Sequence, residues 1–254
     1  MQKKYSSFYL REIQILDIGR SELLKNLVEI VRLKEKFFAF ALHIQALTFI
    51  RNKGYLKSFT LPNITYVDGV SITWILKIKR FFLKVRRYPT TNLGHDLIRE
   101  LQYRLDNECR IALIGGPGSL AVDAMSRLEE KHGCKGVYAN SGFHENWGGV
   151  LKDLRSSAPD ILFLGMGCPI ENIWCSDHHL ELPDCLVVTC GGWFSFLVGK
   201  ERRAPITWQK FGFEWLWRLL LNPKRLTTRY LGGMYRLVYF ILFQRKDINF
   251  RELE

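Results

Sequence analysis

Asp68 and Gly69 close the short apolar run Ile64-Thr-Tyr-Val67. A carboxylate at a strand end is placed to take a proton from a substrate hydroxyl, the work of a general base. An Asp-Gly pair is equally the ordinary chemistry of a turn. Two glycine-rich segments suggest a different chemistry. Gly116-Pro-Gly118-Ser119-Leu-Ala121 matches G-x-G-x-x-A directly after an apolar run, where backbone N–H groups and a helix N-terminus can hold a diphosphate. The same residues also suit a tight turn with no ligand. Gly165-Met-Gly167-Cys-Pro169-Ile-Glu171 is a second such turn, in which Glu171 is either a ligand contact or a first-turn acid favoured by the helix dipole. A dinucleotide site would call for an acid about 20 positions beyond the first turn, at the next strand end. Gly136-Val-Tyr-Ala-Asn140-Ser141 closes there with an amide and a hydroxyl, which favours a nucleotide-sugar or other phosphate ligand over a nicotinamide nucleotide. Arg218, Arg225 and Arg229 are spaced by seven and four, sharing one helical face if Pro223 does not interrupt the helix. Such a row of permanently charged, bidentate guanidinium groups suits a diphosphate or a phospholipid headgroup. His144, His178 and His179 have no metal-ligand spacing, no nucleophile elbow or P-loop is present, and no metal is expected.

The elements that must position these residues are best defined between about 100 and 200. Arg110 to Gly115, Asp160 to Gly165 and Cys185 to Cys190 are continuous apolar runs. The first two lead through glycine turns, the second over Met166 to Pro169, into helix-like stretches, Leu120 to His132 and the residues on through His179, and the third ends at Gly191-Gly192. Strands that are apolar throughout and alternate with helices indicate a parallel sheet covered on both faces, an α/β Rossmann-like core. Before residue 100 the pattern predicts a helix over 23–31, an apolar run from Phe37 and a strand over 64–67. After Pro205 it is helical, basic and rich in Trp, Phe and Leu. We place a boundary near residue 200, with a core over 1–200 and a basic amphipathic appendage over 201–254.

Composition bounds the rest. The 254 residues are 47% hydrophobic, enough to bury a full core, which excludes a disordered chain. Six cysteines without a C-x-x-C pair sit mostly in apolar runs, as expected of reduced core thiols rather than zinc ligands or a disulfide framework. The formal charge of +12 is uneven. Residues 201–254 hold eleven Lys and Arg against five Asp and Glu, and Lys77, Lys79, Arg80, Lys84, Arg86 and Arg87 are unopposed in their own segment. Both stretches interleave cations with large apolar residues, as on surfaces that lie against anionic lipid or nucleic acid. Residues 1–7 resemble no signal peptide. The longest apolar stretches, 37–50 and 231–243, fall short of the roughly 20 residues of a spanning helix.

Taken in order, these motifs resemble the WecG/TagA/CpsF family of bacterial glycosyltransferases, glycosyltransferase family 26. The resemblance rests on Val67-Asp68-Gly69, Gly94-His-Asp96, Ile114-Gly-Gly-Pro-Gly118, Gly142-Phe143, Gly165-Met-Gly-Cys-Pro169 with Trp174, Gly191-Gly192 through Gly199, Arg203-Ala-Pro205, Glu214-Trp215 with Arg218, and Pro223 with Arg225, Arg229 and Tyr230. It implies a GT-E type core with a membrane-associating appendage and an inverting transferase that needs no metal or other cofactor. Such an enzyme moves a sugar from a UDP-sugar to a polyprenyl-diphosphate-linked saccharide in cell-surface or exopolysaccharide biosynthesis. The implied setting is the anionic cytoplasmic face of the inner membrane, with no nucleic acid partner and a homo-oligomer as an open option. Asp68 would be the base, and Arg218, Arg225 and Arg229 would meet the charge on departing UDP. Gly115, Gly116, Gly118, Ser119, Gly142, Phe143, Gly165, Gly167, Pro169, Glu171, Gly192 and Arg203 would form the donor site. The chain departs from the family pattern at Ala39, Ala41 and His43 (usually T-x-N), at Glu171-Asn172 (usually Gln-Glu) and at Ser195 (often Asp). These departures leave the donor open between glucose and N-acetylmannosamine-type sugars. The alternative reading is a non-catalytic, basic membrane- or nucleic-acid-binding protein on a degenerate Rossmann core.

Overall fold

The computed structural model describes residues 5–79, 82, 84–104, 108–243 and 248–251, without the side chains of residues 79, 210, 225 and 228–230. Its centre is a six-stranded parallel sheet. The strands are β3 (Phe37–Leu42), β4 (Ile64–Val67), β5 (Arg110–Gly115), β6 (Lys135–Asn140), β7 (Ile161–Gly165) and β8 (Leu186–Thr189). They lie in the order β4-β3-β8-β7-β5-β6. Every residue of β4, β7 and β8 is buried, and the period of two divides the side chains between two cores. Phe40, Ile114, Leu162, Leu164 and Val187 face one core, and Ala41, Leu113, Ile161, Phe163 and Val188 face the other.

Helices cover both faces. One group is α1 (Arg20–Leu33), α5 (Thr90–Arg104), α6 (Leu120–His132) and the short α9 (Trp193–Leu197). The buried stripes Leu23, Leu27, Val28, Val31 of α1 and Leu93, Leu97, Ile98, Leu101 of α5 recur at helical spacing. Gly94 exists for packing: a Cβ there would fall 2.3 Å from the Trp193 ring, which is wedged edge-on against Phe163 and His95. On the other face are α2 (Ala46–Phe49), α3 (Lys53–Ser58), α4 (Val70–Lys79), α7 (Gly148–Ser156) and α8 (Ile170–His178).

A second sheet joins the two ends of the chain. β1 (Ser7–Leu10) pairs antiparallel with both β2 (Ile13–Leu16) and β9 (Ile248–Arg251). Phe8, Leu10, Ile13, Ile15 and Ile248 are fully buried there, packing β2 against β4. Between β8 and β9 run α10 (Ile206–Phe211), α11 (Glu214–Leu221) and α12 (Pro223–Phe243). Asn222 leaves helical geometry (φ −137°, ψ 62°) and Pro223 opens a new helix, as its missing N–H favours. Arg218 therefore belongs to α11 and Arg225 and Arg229 to α12, so the single helical face expected for the three does not form. Among the described residues no helix is long and apolar enough to cross a membrane.

Candidate active site

In a parallel sheet the strands' carboxyl ends share one edge, and crevices open where the strand order reverses. Here β5 and β7 are neighbours although β6 follows β5 in sequence, and the two glycine turns flank that point. Gly115 and Gly165 are in register, so close that a Cβ on Gly115 would lie 2.4 Å from the Gly165 carbonyl carbon. Gly142 packs over the same crossing and donates its N–H to Gly116 O at 2.9 Å. A cleft of about 500 Å³ opens above this edge. Asp68, Gly116, Gly165, Gly167, Gly192 and Arg218 line it, together with Ala41, His43 and Ser195 at the positions that depart from the family pattern.

Asp68 sits at the carboxyl end of β4. Its backbone N–H donates to Leu42 O on β3, and Gly69 beside it is tightly packed, because a Cβ would meet His43 Cα and Cβ at 3.1 Å. Asp68 Oδ1 accepts the N–H of Thr90 at 3.1 Å, a first-turn donor that α5 itself leaves without a partner. Burial raises the Asp68 pKa and Glu214 adds to it, against the pull of Arg87, the Thr90 N–H and Arg218. The carboxylate is thus a stronger base than an exposed one, yet held and oriented.

Arg87 reads in the sequence as one more member of a cationic stripe, and the structure gives it another place. The Asp17 carboxylate accepts the N–H groups of Lys84 and Val85, both at 2.8 Å, and so anchors the segment that leads into the cleft. There Arg87 Nε donates to the Asp68 carbonyl at 2.8 Å, while its guanidinium pairs with Glu214 of α11. Arg218 pairs with Glu201 at 2.7 Å and lies 5.1 Å over the Phe196 ring. Its charge is balanced in this state, while its buried Nε has no hydrogen-bond partner. The side chains of Arg225 and Arg229 lie outside the described residues.

Glu171 is buried beneath the floor. Its Oε2 accepts the N–H groups of Gly167 at 2.9 Å and Gly191 at 3.0 Å. The carboxylate thereby ties the turn after β7 to the turn after β8. These N–H groups are engaged with Glu171, and that of Gly116 donates to Gly165 O at 3.1 Å. The expected ring of free amides around Gly165 to Gly167 is therefore not what this turn presents. It offers a backbone that a ligand can approach closely because side chains are missing. Gly118, Ser119, Phe143, Pro169 and Arg203 stand outside the cleft lining. Ser119 Oγ bonds Asp123, Phe143 is exposed, and Pro169 precedes α8. Arg203 braces Asn92 and Gln209 near Glu214. Among the described residues no cluster of three or more His, Cys, Asp or Glu is placed to hold a metal ion.

Burial pushes the Glu171 carboxyl up to about 7, with the Asp68 charge adding to it, against the pull of the Gly167 and Gly191 N–H groups. Below the ordinary carboxylate range both the folded and unfolded chains hold this proton. As pH rises toward 7 only the folded chain keeps it, so the contribution to stability is lost through that window, by up to about 3 kcal/mol, and is flat above. Glu171→Gln keeps an oxygen able to accept both N–H groups and removes the titration. Urea unfolding at intervals from pH 4 to 8 should show the difference in stability between variant and native protein growing up to about pH 7. Parallel curves would contradict it.

A carboxylate at a strand end, a crevice at the switch point and glycine turns bare of side chains agree with what comparison with known proteins finds. Residues 8–250 match the model of the Glycosyl transferase WecG/TagA/CpsF family, and the chain belongs to that family of glycosyltransferases.

Proposed function

We propose that this protein transfers a hexose from a UDP-sugar to a polyprenyl-diphosphate-linked saccharide, with inversion and without a metal. The observation that carries this reading is Asp68, half-buried in the cleft and oriented by the Thr90 N–H. Asp68 takes the proton from an acceptor hydroxyl as its oxygen attacks the anomeric carbon from the face opposite the nucleotide. The bond from that carbon to the UDP oxygen breaks, and configuration inverts. UDP lies along the glycine turns. Arg218 exchanges Glu201 for the diphosphate, and Arg225 and Arg229, one turn apart on α12, add charge as UDP departs.

The acceptor's lipid indicates where the protein works. On α12 Leu231, Tyr235, Val238, Leu242 and Phe243 are exposed, as are Phe211 on α10 and Leu220 on α11. Lys224 and Arg236 lie among them. Apolar anchors beside cations suit a helix lying in an anionic lipid interface, here the cytoplasmic face of the inner membrane.

Asp68→Asn preserves size and removes the base. Turnover should fall about 10²–10⁴-fold while UDP binding, measured by calorimetry, stays near native; a fully active variant would refute the assignment. Leu231→Asp combined with Tyr235→Asp should strongly reduce co-flotation with phosphatidylglycerol vesicles, and undiminished flotation would remove α12 as the anchor.

A further inference from the structure

A buried hydrogen-bonded chain runs beneath Asp68. Thr90 Oγ1 is 2.7 Å from Tyr66 Oη, and the Tyr66 hydroxyl donates to the Thr189 carbonyl at 2.8 Å. A phenol has one proton, so the Thr90 hydroxyl is the donor to Tyr66. Burial keeps the Tyr66 phenol far above its ordinary pKa and therefore protonated. Thr189 Oγ1 accepts the Ala41 N–H at 2.7 Å. The chain spans β4, the start of α5, the end of β8 and β3, with Tyr66, Thr90 and Thr189 at 3%, 3% and 0% exposure.

We propose that Tyr66 and Thr90 are positioning residues for Asp68. The Thr90 N–H fixes the orientation of the carboxylate, and the Thr90 side chain, held by Tyr66, fixes that N–H. This rests on the reading of Asp68 as the base. Tyr66 touches no reacting atom, and its effect travels through a single backbone donor. Removing its hydroxyl leaves the Thr90 hydroxyl and the Thr189 carbonyl short of a partner in a dry site, a penalty relieved by moving the first turn of α5. Movement there lengthens the hydrogen bond that favours the charged carboxylate, so the Asp68 pKa rises. The other groups acting on Asp68 are Arg87 before α5, Glu214 and Arg218 on α11, Glu171 on α8 and Cys190 after β8. Asp68, Cys190 and Glu171 act in turn on the Tyr66 phenol, which is neutral, so Tyr66→Phe removes no charge from this set.

The test pairs infrared difference titration of the Asp68 carboxyl, using Asp68→Asn as the blank, with pH profiles of turnover. It compares native protein with Tyr66→Phe, Thr90→Val and Thr90→Ser, each checked for native circular dichroism. In Tyr66→Phe and Thr90→Val the carboxyl should titrate at higher pH, by about half a pH unit or more. In both, kcat should fall about tenfold or more while KM for the UDP-sugar holds. Thr90→Ser keeps the hydroxyl and should behave as native. Asp68 titrating at its native pH in either folded variant would overturn the proposal, as would a rise in KM at constant kcat. A shifted carboxyl alongside a fully active Asp68→Asn would refute the base and leave the brace standing.

Discussion

Arg87 bonds in two directions at once, to the backbone carbonyl of Asp68 and to the carboxylate of Glu214 on α11. Its side chain is 19% exposed and that of Glu214 11%, so the pair is largely shielded from water. Loss of one partner from such a pair costs about 3–5 kcal/mol, mostly through the charge left behind, whereas the intact pair adds little net stability. Its consequence is registry. The end of β4, which carries Asp68, is tied to the helical segment after residue 205, which carries Arg218. Without that tie Asp68 would lose the lowering pull of Arg87 while Glu214, 3.9 Å from Arg203, still raised its pKa.

The opposite wall follows a different rule. A Cβ on Gly115 would strike the Gly165 backbone, one on Gly142 the Met166 side chain and one on Gly165 the Phe194 ring, and Glu171 binds the turns from below. A ligand there would meet main chain on a stiff base, while across the cleft it would meet charged side chains in exchangeable pairs. A rigid floor and a wall of exchangeable Arg–Glu pairs suit the proposed donor, whose nucleotide must be held while charge builds on its diphosphate.

Much of this was legible in the sequence. Strands β5, β7 and β8 are continuous apolar runs closed by glycine, and a strand buried on both faces leaves that signature. The carboxylate at the cleft edge was legible too, from Asp68 at the end of such a run. The hairpin of β1 and β2 and its closure by β9 were not legible, because four-residue strands paired across the whole chain show no local period long enough to read. Arg87 was hidden for another reason: in a run of cations nothing local marks the one that turns inward, and only the anchoring of Lys84 and Val85 by Asp17 decides it. Glu171 stood between two roles; it is a first-turn acid of α8, and it also bonds the turn at Gly167 to the turn at Gly191. The proposed arginine row depended on a helix continuing through Pro223, and it does not.

The most direct measurement of the central claim is UDP release across a panel of UDP-sugars, with and without a polyprenyl-diphosphate-linked monosaccharide, in excess EDTA. The product's anomeric configuration is read by NMR. Acceptor-dependent release from one donor, undiminished by the chelator and with inverted configuration, is the predicted result. Retained configuration, or activity that returns only when a divalent metal is restored, would contradict the account of a carboxylate base working with an arginine wall.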